Sequence, residues 1–418
     1  MKAVLIAVGS EMLTPLRLDT NSLVVTDRLN AIGSEVVSKA VVADDCRAIV
    51  RVLRSAVEVA DLVVCTGGLG PTDDDLTRDA LAALLGVPLE LDQATLGSIQ
   101  ERFAKRGMEM PAINRRQALV PRGATLLPNP YGTAPGLWAE IGSTRIVLLP
   151  GPPREMTPML ERVIRDRIPQ SGDRGLFRRV LKIAGRTESD VDQVAQVVYR
   201  PWADAAVPLS TTILAVLGQI EIHLTAKAPN RAVGEAALDA AVHELEQALG
   251  PAVFSVDGRS LEQVVGDLLR TAGWTIAVAE SCSGGLLASR LTDVAGSSTY
   301  FDRGVVCYSN AAKVALLGVP EALIDRHGAV SEPVAETMAE QIRERANTGV
   351  GIGITGIAGP GGGSDAKPVG TVVVAVSTAG DCRVRTYRFS GAREQIKYQA
   401  TQAALNLLRM ILVERGAS

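Results

Sequence analysis

The chain has 418 residues, enough for two or three domains, and 47% of them are hydrophobic while only 3% are aromatic, so its cores have to be aliphatic. A net charge of −3 leaves no electrostatic footprint for nucleic acid or an anionic membrane surface. Five scattered cysteines (Cys46, Cys65, Cys282, Cys307 and Cys382) include no CxxC pair, which argues against a disulfide framework and a zinc site.

The apolar run Ala3–Val8 reads as a buried first strand rather than a signal peptide, because it is short and a glycine and an acid follow it. No apolar stretch reaches the ~18–20 residues of a membrane span, so a soluble, cytoplasmic protein is expected. Helical spacing over Thr20–Ala31, a strand at Glu35–Val42, a helix at Arg47–Ala60, a strand at Leu62–Cys65 and a helix at Thr77–Leu85 follow in order. Arg145–Leu149 supplies a later strand, and a helix from Glu155 to about Arg167 closes the segment. Uniformly apolar strands between amphipathic helices predict a mostly parallel sheet covered on both faces.

Gln170–Gly175 is polar and reads as a linker. A smaller α+β pattern comes next: strand Arg179–Ala184, helix Glu188–Val198, two strands around Gly218 within Thr212–Ala226, helix Ala232–Ala248 and strand Ala252–Val256. After Gly258-Arg259-Ser260, helix Leu261–Ala272 leads into strand Thr275–Ala279, a turn at Glu280–Gly285 and helix Leu286–Val294. Strand-like runs recur at Gly304–Tyr308, Val350–Thr355 and Thr371–Ser377, and a long amphipathic helix, Arg393–Val413, ends the chain.

The segment Glu280-Ser281-Cys282-Ser283-Gly284-Gly285 puts hydroxyls at a strand-to-helix turn. Such a turn exposes a side chain at the carboxyl end of a strand, with backbone N–H groups near Ser283, Gly284 and Gly285 able to hold an oxyanion. An N-cap role for Ser281 or Ser283 accounts for the turn as well. A serine nucleophile needs a base, and His223, His243 and His327 all sit in structural or solvated contexts. Lys313, in Tyr308-Ser309-Asn310-Ala311-Ala312-Lys313, is the candidate, because burial lowers an ammonium pKa. Tyr308 relays a proton or orients Lys313, or is simply a satisfied aromatic. Cys282 adjoins Ser281 as a rival thiolate nucleophile without a histidine partner. The glycine-rich loop around Gly359 suits backbone contact with a phosphate or ribose.

In the first segment, strand Leu62–Cys65 runs into Thr66-Gly67-Gly68-Leu69-Gly70-Pro71-Thr72-Asp73-Asp74-Asp75. Gly67, Gly68 and Gly70 free N–H groups for phosphate. Successive carboxylates would repel a bare phosphate, so a bridging divalent cation is expected, although one aspartate suffices to cap the next helix.

Five C-terminal stretches, AESCSGG, GSSTYF with YSNAAK, HGAVSE, TGIAGPGGG with KPVGTV, and SGAR, resemble the C-terminal domain of the CinA family, also found alone as nicotinamide-nucleotide amidase. The resemblance implies hydrolysis of nicotinamide mononucleotide to nicotinate mononucleotide and ammonia without a cofactor. It makes Ser281 the nucleophile, Lys313 its base, Tyr308 and Thr355 assisting residues and Arg393 a contact to the substrate phosphate. VGSEMLTPLRLDTN, NRRQALVPRGA, NPYGTAPGLW and LPGPPREM resemble the MoaB/Mog-like molybdopterin-binding fold in its CinA version. That likeness implies a metal-dependent ADP-ribose pyrophosphatase using Mg2+ or a similar divalent ion. Asp74 and Asp75, with Glu11, would serve the metal, and Asn21, Asn114 and Glu155 would line the cleft. Thr14-Pro15 stands where many relatives carry a glycine, and proline fixes φ and removes a donor.

The expected architecture is therefore α/β. Two α/β sandwich domains, 1–168 and 259–416, are joined by a small KH-like α+β domain, 172–256, that acts as a spacer or dimerisation element in a homodimer. Small-molecule nucleotides are the expected partners, with neither membrane nor nucleic acid. The alternatives are a non-catalytic scaffold associated with competence or DNA damage, and a molybdopterin-binding protein.

Overall fold

The computed structural model describes residues 1–168 and 175–416. The expected linker lies outside the described residues except for Gly175, which begins a strand. Two compact units are resolved, one of Met1–Phe177 with Ala226–Ala236, the other of Arg178–Thr225 with Ala237–Ser418.

The first unit runs β1 (Lys2–Val8), α1 (Asn21–Ala31), β2 (Glu35–Val42), α2 (Cys46–Val59), β3 (Leu62–Thr66), α3 (Thr77–Leu85), β4 (Leu89–Leu91), α4 (Gln93–Ala104), β5 (Leu119–Pro121), β6 (Thr125–Leu127), β7 (Gly136–Ile141), β8 (Thr144–Leu149) and α5 (Pro153–Arg167). Its main sheet has the order β2-β1-β3-β8-β7-β6. The strands from β2 to β8 are parallel, and β7 and β6 are antiparallel. Alternate residues of β1 point to opposite faces. Val4 and Ile6 pack with Ile49 and Leu53 of α2, whereas Ala3 and Leu5 pack with Leu29 of α1 and Leu160 of α5. Coverage on both faces is why β1 and β3 read as unbroken apolar runs.

Next along the chain come β9 (Gly175–Ile183), α6 (Glu188–Tyr199), β10 (Leu209–Val216), β11 (Gln219–Ala228), α7 (Arg231–Leu249) and β12 (Val253–Ser255), whose sheet order is β10-β11-β9-β12. Ile220, Ile222 and Leu224 of β11 are buried, as their alternation with Glu221, His223 and Thr225 predicts.

Then come α8 (Leu261–Ala272), β13 (Ile276–Glu280), α9 (Leu286–Thr292), β14 (Phe301–Val306), α10 (Asn310–Leu317), α11 (Glu321–His327), α12 (Glu332–Ala346), β15 (Val350–Gly356), β16 (Thr371–Thr378), β17 (Asp381–Arg388) and α13 (Arg393–Glu414). The five strands order as β14-β13-β15-β16-β17, with the first three parallel and the rest antiparallel. Helices α8 and α13 cover one face, and α12 covers the other. Gly351 and Gly353 let α12 lie directly on β15, since a Cβ at either would run into the carbonyl of Ala339 or Ala335. No helix among the described residues is long and apolar enough to cross a membrane.

Candidate active site

The parallel pair β13 and β15 builds the C-terminal site at its carboxyl end. Ser281 follows β13 and is pinned there by its N–H, which donates to Ile354 O at 2.9 Å. The turn after it is shaped by Glu280, whose side chain is buried at the end of the strand. The Glu280 carboxylate accepts N–H groups of Gly285 (3.1 Å), Leu287 (3.0 Å) and Ala288 (2.8 Å), so it caps the first turn of α9.

Lys313 comes from α10, whose start is fixed by the Ala312 N–H donating to the Ser309 hydroxyl at 3.0 Å. The lysine is only 2% exposed. Its Nζ lies 3.1 Å from Ser281 Oγ, and it donates to Cys307 O at 3.1 Å and Tyr308 O at 3.3 Å. Among the described residues no carboxylate pairs with it. Burial holds its pKa below the ordinary lysine value. A neutral amine has two N–H bonds and one lone pair. The two carbonyls accept the N–H bonds, which leaves the lone pair for the Ser281 hydroxyl.

A cavity of about 260 Å³ opens over this pair, bordered by Tyr308, Thr355, Gly359 and Arg393. Arg393 opens α13 and donates to Gly359 O and to the Tyr308 hydroxyl, both at 2.6 Å. Thr355 donates its hydroxyl proton to Ala329 O at 2.8 Å. The cavity also touches Cys282, but burial pushes that thiol up to about 12, so it stays protonated at neutral pH and is a poor nucleophile.

Three expectations need correction. The Tyr308 side chain is 57% exposed and its hydroxyl faces Arg393, so the residue orients Lys313 through its backbone carbonyl rather than its phenol. Gly284 and Gly285 do not border the cavity, and their N–H groups are taken by Ser281 O and Glu280. Of the turn's remaining N–H groups, that of Cys282 borders the cavity and bonds no protein oxygen among the described residues, while Ser283 is wholly buried and does not border it. The Ser283 side chain is wholly buried away from the cavity, and its hydroxyl has no partner among the described residues.

In the first unit a cleft of about 630 Å³ is bordered by Glu11, Asn21, Gly67, Gly68, Gly70, Asp74, Asp75 and Glu155. The glycines serve the loop's own packing. A Cβ at Gly67 would strike Val8 O, at Gly68 the Thr77 hydroxyl, and at Gly70 the Asp75 carboxylate. That carboxylate accepts the N–H of Gly70 at 2.7 Å and of Thr72 at 2.8 Å, and the Thr72 hydroxyl besides. Asp75 is thus the staple of the loop. Glu11, Asp74 and Asp75 do not converge as a ligand set. Among the described residues the grouping that does is Glu336, Glu340 and Cys382, far along the chain in the other unit. Asn114 does not reach the cleft: it is buried and donates to Gln117 at 2.9 Å, and Gln117 borders the cleft instead. Asn21 donates to Gly151 O at 2.8 Å, and its Oδ1 is buried without a partner among the described residues.

Residues 258–412 match the family model described as "CinA C-terminal domain", and residues 4–170 match the one described as "Probable molybdopterin binding domain". A CinA-like protein of Koribacter versatilis (strain Ellin345) is 45% identical over 421 residues, which cover 99% of this chain and 100% of that protein. The chain belongs to the CinA family. A second CinA-like protein, from Solibacter usitatus (strain Ellin6076), is 45% identical over 413 residues and covers 98% of both chains. A solved CinA structure from Thermoplasma acidophilum is 35% identical and matches 40% of this chain and 98% of that one, with a TM-score of 0.38. Within the motifs shared with the CinA family, the structure adds Glu280, Ala329 and Gln117 to the residues that shape the two sites. An acid closing an otherwise apolar strand just before a helix was the one sequence signal for Glu280. Ala329 and Gln117 carried none beyond their places in HGAVSE and NRRQALVPRGA.

Proposed function

We propose that the C-terminal site hydrolyses the carboxamide of nicotinamide mononucleotide to nicotinate mononucleotide and ammonia. The observation that carries this reading is the 3.1 Å approach of Lys313 Nζ to Ser281 Oγ, with two carbonyls as the amine's other partners. Lys313 takes the Ser281 proton as Oγ bonds to the amide carbon, and the N–H of Cys282 meets the resulting oxyanion. The Lys313 ammonium then returns the proton to the leaving nitrogen as the C–N bond breaks. Water, deprotonated by the same amine, cleaves the acyl ester. Arg393 at the rim provides the cation for the nucleotide phosphate. Ammonia release from nicotinamide mononucleotide tests this with wild type, Ser281→Ala and Lys313→Ala. Turnover should vanish in both variants, and turnover retained by Ser281→Ala removes the assignment. Absence of turnover in wild type, together with affinity for DNA, would favour a scaffold instead.

For the N-terminal cleft we propose a phosphate-bearing nucleotide, ADP-ribose, as ligand. The supporting observation is a cleft at the strand ends bordered by Asn21, whose Oδ1 has no partner among the described residues and can accept from a ribose hydroxyl. The carboxylates present do not fit a ready-made divalent site, so no metal-dependent step is assigned to them. AMP release from ADP-ribose, with and without divalent ions, tests the reading; a rate no higher than the uncatalysed one rejects the pyrophosphatase.

A further inference from the structure

The hydroxyl of Thr355 has one proton, and its direction is settled by its neighbour. Thr355 Oγ1 lies 2.8 Å from Ala329 O. A carbonyl oxygen only accepts, so the proton on that line belongs to the threonine. Thr355 is 1% exposed and borders the cavity with Ser281 and Lys313. The strand register puts it next to the nucleophile: Glu280 is opposite Ile354, and Ser281 N–H donates to Ile354 O. Toward the cavity Thr355 therefore offers lone pairs alone.

The acceptor that fixes this polarity is itself held. Lys367 Nζ donates to His327 O at 2.9 Å and to Val330 O at 2.7 Å, on either side of Ala329. The Ser331 hydroxyl donates to Gly328 O at 2.8 Å. These bonds fix the backbone of the segment before α12, and with it the carbonyl that claims the Thr355 proton.

We propose that Thr355 is the residue by which the site selects a primary carboxamide, accepting a hydrogen bond from the substrate's amide N–H. The inference rests on the amidase reading of the Ser281 site. The bond turns the carboxamide so that its nitrogen faces Thr355 and its oxygen faces the N–H of Cys282. The carboxylate product has no N–H to give, so the same lone pairs repel it and favour its release. An ester carbonyl gains nothing from Thr355. The chemistry is otherwise unchanged, with the C–N bond broken and the proton delivered by Lys313.

The experiment uses the full chain, with nicotinamide mononucleotide and the methyl ester of nicotinate mononucleotide as paired substrates. Thr355→Val keeps the shape and removes the hydroxyl, and Thr355→Ser keeps the hydroxyl. A lost hydrogen bond of ordinary strength predicts that kcat/KM for the amide falls about tenfold in Thr355→Val, while the ester changes by less than about twofold. Thr355→Ser should restore the amide rate to within about threefold of wild type. Inhibition by nicotinate mononucleotide should become tighter in Thr355→Val, a gain that a misfolded variant does not give. Equal losses on amide and ester, or unchanged product binding, would overturn the inference while leaving the amidase reading in place. A wild type that hydrolyses no nicotinamide mononucleotide would overturn the amidase reading itself.

Discussion

The N–H of Ala288, in the first turn of α9, donates to the carboxylate of Glu280 at 2.8 Å, and this bond ties the helix to the residue just before the nucleophile. The two further N–H groups on the same carboxylate make Glu280 a buried anion satisfied wholly by backbone. Glu280→Gln puts an NH2 donor where only acceptors fit. Charge-assisted bonds to buried groups are worth roughly 1.5–3 kcal/mol, so the substitution should lower unfolding free energy by about that amount. The turn would loosen, so kcat should fall more than KM rises. Denaturant titration and ammonia kinetics on the same preparation check both, and an unchanged midpoint would refute the capping role.

The pH dependence follows from Lys313. Burial lowers its pKa, so the neutral amine is populated at a lower pH than in a free lysine. Activity should rise with pH through that depressed value and fall as pH drops below it. Stability has the same sign. The unfolded chain binds the extra proton between the folded and the ordinary value, so unfolding free energy increases with pH across that window. Lys313→Met should flatten this slope while abolishing ammonia release. Urea titrations at several pH values give the slope, and an unaltered slope in the variant would show that the lysine is not the titrating group.

Ser281 was legible from its strand-to-helix turn, Lys313 from the want of a histidine base and Gly359 from its glycine-rich loop, whereas Thr355 and Arg393 rested on the resemblance to the CinA family; all five border one cavity. The sequence could not show which way side chains turn there. Tyr308 lies just past β14 rather than in it, so its phenol swings to the rim while its carbonyl meets Lys313. Asn114 is hidden behind Gln117 for a similar reason: both lie in a 3-10 segment, where apolar periodicity gives no facing. In the fold, β6 and β7 went unread because turn residues separate very short runs, and α4 because it buries only Leu96 and Ile99.

Asp74 and Asp75 adjoin in sequence and should behave differently. Asp75→Ala removes the acceptor for two N–H groups and a hydroxyl within the Gly67–Thr72 loop. Loss of an Asx-type cap costs about 1–2 kcal/mol. Asp74 is exposed, and Asp74→Ala should leave the thermal midpoint unchanged. Differential scanning calorimetry of the two variants decides the point. Equal midpoints would mean that Asp75 does not staple the loop.

Gly353 supports the site from below. A Cβ there would meet the backbone of α12, at Ala335 O and Ala339 N, and backbone cannot rotate away. Gly353→Ala must therefore push α12 off β15, at a cost of about 1–3 kcal/mol or more for overpacking. The displacement reaches the chemistry, because α12 follows the segment that carries Ala329, and Thr355 is the penultimate residue of β15. Activity on the carboxamide should drop along with the melting temperature. Gly97→Ala, on α4 of the other unit, is the control: a Cβ there meets nothing within 4 Å, so the rate should not change and stability should not fall. A stable, fully active Gly353→Ala variant would show that α12 has room to move and that Ala329 is held independently of it, by the Lys367 and Ser331 bonds.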